Sequence, residues 1–121
     1  MQNITVRMVN EKYELLESTG INFADVIGGI LYRLHDFEKN YPVLSQIDPY
    51  GNTLFNSNQI PLALEELRRL KIAILDPKVD KEPFKTNYPG IITEAGNLAE
   101  LEKALIFFAR PDVDYVEFWG D

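Results

Sequence analysis

The chain has 121 residues, no cysteine, and 19 acidic side chains against 12 basic ones, a formal charge of −7. That length suits one domain, residues 1–121, since two halves would each be too small to bury a good core. An apolar fraction of 45% with 12% aromatics is globular composition; the missing cysteine excludes disulfides, thiolate metal sites and a cysteine nucleophile, and the acidic balance argues against a phosphate-binding surface.

The residues after Met1 lack the basic start and apolar run of a signal peptide. The longest apolar stretch, Val26 to Leu34, is broken by Gly28, Gly29, Tyr32 and Arg33. It is about half the roughly 20 residues a membrane span requires. The expectation is an acidic cytoplasmic protein that does not cross a membrane.

Residues 4–18 predict a β-hairpin. Ile4, Val6 and Met8 alternate with Thr5, Arg7 and Val9, Tyr13 and Leu15 resume after the break, and Asn10-Glu11 forms the turn, because Asn tolerates positive φ. Gly20 ends the unit. Over 22–37 the spacing of Phe23, Val26, Ile27, Ile30, Leu31 and Leu34 predicts a helix, with Asn22 as N-cap and Gly28-Gly29 allowing close backbone approach. Asn40-Tyr41-Pro42 turns the chain into a strand at 43–47. Asp48-Pro49-Tyr50-Gly51 is a strong turn signal, and Thr53-Leu54-Phe55 returns as a strand.

Asn58 is placed to cap the next helix, which tolerates Pro61 in its first turn. Ile60, Leu64, Leu67, Leu70 and Ile74 form its buried stripe, with Glu65, Glu66, Arg68 and Arg69 facing water. Asp76 to Pro89, rich in proline and charge, reads as a long surface loop. The last helix is expected from Asn97, with Glu100 completing a capping box, a stripe of Leu98, Leu101, Leu105 and Phe108, and a stop at Arg110-Pro111. Val113 to Trp119 alternates as a terminal strand. The element order implies an α+β fold: two layers, a mainly antiparallel sheet with about three helices on one face.

Little of the sequence reads as catalytic. His35 has no nucleophile or second titrating group beside it in sequence. Asp76, Asp80 and Glu82 lack the alternating oxygen ligands and central glycine of a calcium loop, and one histidine without cysteine leaves few transition-metal ligands. Gly28-Gly29 lies in no phosphate-binding pattern, and Ser18, Ser45 and Ser57 have no flanking elbow glycines. The expectation is a protein that is not an enzyme and has no cofactor and no metal.

The richest polar cluster is the run from Asp48 to Gln59. It reads either as turn, strand and cap alone, or as a recognition surface of Tyr50, Asn52, Thr53, Asn56 and Gln59 on a rigid scaffold. This run, Asp-Pro-Tyr-Gly-x-Thr-x-Phe-Asn-x-x-Gln, resembles a group of small, uncharacterised bacterial proteins that also end in an aromatic strand closing in Gly-Asp, as Phe118-Trp119-Gly120-Asp121 does. The resemblance covers roughly residues 46–72 and 97–121. It brings no activity to any residue, but some members look like small acidic immunity proteins, the antidotes to secreted bacterial toxins.

Residues 94–121 hold seven acidic groups against Lys103 and Arg110, a balance of −5 out of the chain's −7. In the terminal strand Val113, Tyr115, Glu117 and Trp119 share one face, while Asp114, Val116 and Phe118 share the other. Aromatics supply buried anchors and carboxylates steer a basic partner. The leading expectation is therefore an immunity-type protein that occludes a basic toxin domain, such as a nuclease, through Asp112, Asp114, Tyr115, Glu117 and Trp119, with Tyr50 and Asn52 at the turn. The alternatives are a small-ligand protein or enzyme with a pocket around Tyr50, Asn52, Asn56 and His35, and a homodimer formed when the terminal strand pairs with its own copy.

Overall fold

Alternation over residues 4–8 of the first strand sets the layers, up to the irregularity at Met8-Val9, both of them buried. Ile4, Val6 and Met8 are fully buried, whereas Thr5 is exposed and Arg7 half-buried. The computed structural model describes residues 3–22, 37–48, 50–76, 78 and 94–120. Its elements are β1 (Asn3–Val9), β2 (Leu15–Asn22), a single turn α1 (Phe37–Asn40), a 3₁₀ turn (Leu44–Gln46), β3 (Asn52–Phe55), α2 (Ile60–Leu75), α3 (Glu94–Phe108) and β4 (Tyr115–Trp119).

The four strands form one antiparallel sheet in the order β2-β1-β4-β3. Ile4, Val6, Met8, Ile21, Phe55, Val116 and Phe118 share a core with Ala63, Leu67 and Leu70 of α2 and with Leu101, Ala104 and Phe108 of α3. The fold is thus α+β, as the element order implied. Phe55 sits edge-on to Phe118 at 5.6 Å and tilted to Phe108 at 6.0 Å, offset geometries that suit ring quadrupoles.

Several local expectations are corrected. The hairpin turn is not two residues but the loop 10–14. Asn10 acts through its side chain there, Oδ1 accepting from the N–H of Lys12 (2.9 Å) and of Glu14 (3.0 Å), while the positive φ of 61° falls on Tyr13. β2 runs past Gly20 to Asn22, because Ile21 pairs with Ile4 and is buried with it. Asn22 therefore ends a strand. The helix expected beyond it, with Gly28-Gly29 and His35, lies at 23–36, outside the described residues.

Residues 43–47 are not a strand. Val43, Leu44 and Ile47 are buried, but the segment curls into the 3₁₀ turn and points its amides at Glu66 of α2. Glu66, expected in water, is the buried charged residue among those described. The helix start is organised by Asn56 rather than Asn58: Asn56 Oδ1 accepts from the N–H of Asn58 (2.9 Å) and of Gln59 (3.0 Å). Pro61 falls in the first turn, where its missing N–H costs no helical bond. α3 begins at Glu94, three residues before the expected cap. Of the loop expected over 76–89, the described part shows Asp76 closing α2 through its N–H to Ile72 O (2.9 Å) and accepting from Lys78 N–H through Oδ1; positions 77 and 79–89 lie outside the described residues.

β4 is a central strand, bonded to β1 on one side and β3 on the other. Both of its backbone edges are used, so it has none to offer a second copy. The expectation that this strand lies free to pair with its own copy is not supported by this pairing.

Candidate functional site

With Val116 and Phe118 turned into the core, period-two geometry places Tyr115, Glu117 and Trp119 on the outer face, away from the helices. Register then assembles their neighbours. Arg7 of β1 and Leu54 of β3 flank Glu117, while Thr5 and Asn52 flank Trp119. Trp119 is 42% exposed and Leu54 45% exposed, so this row holds apolar contact area in solvent.

Arg7, Glu117 and Trp119 form a mutually bonded trio. The Arg7 guanidinium lies 4.4 Å from the Trp119 ring centroid and its Nη1 is 3.6 Å from Glu117 Oε2. Trp119 Nε1 donates to the same oxygen at 2.9 Å. Such a stacked cation on a partly exposed ring contributes about 0.5–1 kcal/mol and fixes the indole's orientation. At the other end of the strand Tyr115 stacks on Tyr13, ring centroids 4.6 Å apart and planes 15° from parallel.

The acidic groups differ in availability. Asp112 is gripped by Arg110, whose Nε donates to Oδ1 (3.1 Å) and Nη2 to Oδ2 (2.8 Å). That pairing holds the Asp112 carboxyl below the usual aspartate range. Arg110 Nη1 also reaches Glu17 at 3.3 Å. Glu117 is answered by Arg7. Asp114 anchors the start of β4 through its N–H to Val9 O at 2.9 Å, and its carboxylate makes no hydrogen bond or ion pair among the described residues. Of Asp112, Asp114 and Glu117 it is the one left without a side-chain partner among the described residues.

The 48–59 run is mostly spent on itself. Asp48 Oδ1 accepts the Tyr50 N–H at 2.9 Å, and Thr53 Oγ1 accepts the Asp48 N–H at 3.0 Å. Gln59 Oε1 accepts the Asn56 N–H at 3.0 Å while Asn56 Oδ1 makes the cap turn described above. A Cβ on Gly51 would lie 2.7 Å from Asp48 Oδ2, so the turn closes around this glycine. Asp48, Thr53, Asn56 and Gln59 therefore build the scaffold. Tyr50, 74% exposed, and the exposed Asn52 make no side-chain bond among the described residues of the run, whereas the exposed Asp48 and Asn56 spend their side-chain oxygens on its backbone. Gly120 N–H donates to Gly51 O at 2.8 Å, which ties this turn to the Trp119 end of β4.

The structure thus gathers Tyr115, Glu117, Trp119 and Asn52 on one face, with Tyr50 beside it. Asp112 and Asp114 lie at the far end, near Tyr115. Arg7, Tyr13 and Leu54 belong to the same surface and were missed from sequence. Arg7 carried a usable signal, since alternation already put it opposite the buried Ile4-Val6-Met8 set; the others needed the strand register. No family model, curated protein or solved structure matches the chain.

Proposed function

We propose that this chain is a small acidic protein-binding protein of the immunity type, acting in the cytoplasm, which uses the outer face of its sheet to occlude the cationic groove of a basic toxin or nuclease domain. The reading is supported above all by the outward row of Tyr115, Glu117 and Trp119, an apolar and anionic strip held in solvent by a rigid central strand. Trp119 and Leu54 supply apolar anchors; Asp114 supplies an unanswered charge; Glu117 Oε2, already shared between Arg7 and Trp119, would take a partner's guanidinium by exchange with Arg7. Occupying the groove where phosphates would lie requires no chemistry from this chain.

A ligand pocket around Tyr50, Asn52 and Asn56 is less well supported. The side-chain oxygens of Thr53, Asn56 and Gln59 accept backbone amides of their own segment, leaving few polar groups to converge on a ligand. The test is affinity capture from the native lysate at low and at moderate salt. Stoichiometric recovery of one basic protein, weakened by salt and by Asp114→Lys, supports the proposal; recovery of the chain alone under both conditions refutes it.

A further inference from the structure

On the helical side of the molecule, opposite the outer sheet face, α2 and α3 leave an apolar groove of about 560 Å³ between them. Leu64 and Leu105, half-buried against the core, form its floor, and Ile72, Leu75 and Ile106 form its walls. The wall residues are 66%, 57% and 68% exposed, a poor arrangement for their apolar area in a folded chain. A drug-sized ligand is normally buried over most of its surface. Walls this open suit a long occupant that covers them from above, as an amphipathic helix does when it lays its apolar face into a groove.

The charge around the groove selects the kind of helix. The chain as a whole is at −7, yet the groove is lined by two cations, Arg68 and Lys71, and by no carboxylate. Lys71 is answered by Glu102 across the two helices. Arg68, exposed on α2, makes no hydrogen bond or ion pair among the described residues, unlike its neighbours Arg69 and Lys71. A second copy seated groove on groove would bring two unanswered Arg68 guanidiniums together, with no carboxylate among the lining residues to meet them. The complementary occupant carries carboxylates beside its apolar stripe.

We propose that the α2–α3 groove docks an acidic amphipathic helix of another protein. This site is separate from the outer sheet face in position and opposite in charge preference, so it stands whether or not that face binds a basic partner.

The test uses two labelled peptides of about 18 residues, roughly five helical turns, with the same leucine stripe and either Glu or Lys at the flanking positions. Binding to the full chain is read by fluorescence anisotropy at physiological salt. The proposal expects the Glu peptide to bind at least about 10-fold tighter than the Lys peptide, against the pull of the chain's net charge. Arg68→Glu should reverse that preference and Ile106→Asp should abolish binding of both peptides, with the circular dichroism of the chain unchanged because both positions are exposed. Preference for the Lys peptide, indifference to Arg68→Glu, or no binding of either peptide overturns the proposal. So does a concentration-dependent dimer in sedimentation velocity that Ile106→Asp removes and the Glu peptide does not, since the occupant would then be a second copy.

Discussion

Glu66 accepts the backbone N–H of Leu44 through Oε1 at 3.0 Å, and the same carboxylate takes the N–H of Val43 at 3.1 Å. One buried side chain on α2 therefore satisfies two amides of a segment more than 20 positions away. Without it, the apolar run Val43-Leu44-Ile47 could not be buried in this curl, because its amides would lose water and gain no acceptor.

Replacing Glu66 by Ala should leave both amides orphaned and cost about 2–4 kcal/mol, at the upper end for a charged hydrogen-bond acceptor. Glu66→Gln keeps an acceptor of the same shape and should lose less. Urea denaturation of the two variants checks this ordering; equal stability for Glu66→Ala and the parent would show that the amides find other partners.

The turn at 48–51 makes a second prediction. Gly51→Ala forces the Asp48 carboxylate to move, since Cβ would sit 2.7 Å from its Oδ2, and so weakens the bond from Tyr50 N–H. About 1 kcal/mol of stability should be lost, the scale of one turn hydrogen bond. Thr53→Val, which removes the acceptor of the Asp48 N–H, should cost a similar amount by the same measurement.

These two sites show where the sequence was legible. Alternation in 4–8 and 115–119 separated two faces of each strand, although Val113, expected on the face of Tyr115, is buried in the core. The spacing of Ile60, Leu67 and Leu70 located α2, because those patterns record a single boundary between core and water. Glu66 lies on that same stripe, between Ala63 and Leu70, and was read outward because a charge normally faces solvent. Its burial depends on amides from a distant segment, which no local pattern encodes. Likewise Val43–Ile47 is apolar enough for a strand, but the partner that claimed its backbone was a side chain, not another strand. The trio of Arg7, Glu117 and Trp119 depends on pairing the first strand with the last, so only the sheet register brings it together.

Acid titration offers a third check. The Arg110 hydrogen bonds and charge lower the Asp112 carboxyl below the ordinary aspartate range. A depressed folded-state value means that the pair's contribution is present above that ordinary range and fades as pH falls through the lowered value. Asp112 is exposed and Arg110 only half-buried, so the pair's effect on overall stability should be slight. Carbon-detected NMR should place the Asp112 midpoint below that of an aspartate in an unstructured peptide, and Arg110→Gln should raise it. An Asp112 midpoint that ignores Arg110→Gln would show that the pair does not persist in solution.

The central claim is that the outer sheet face binds a basic protein, and Trp119→Ala tests it most directly. Within the chain the ring is held by a cation contact and one hydrogen bond on an exposed surface, so its loss should cost about 1 kcal/mol of stability or less. As a central anchor in an interface it should instead cost at least about 2 kcal/mol of affinity, roughly 30-fold. The measurement is capture and titration of the basic partner by the parent chain and by Trp119→Ala side by side. A folded variant with binding reduced about 30-fold is the predicted result; a folded variant that binds the partner as tightly as the parent would contradict the account.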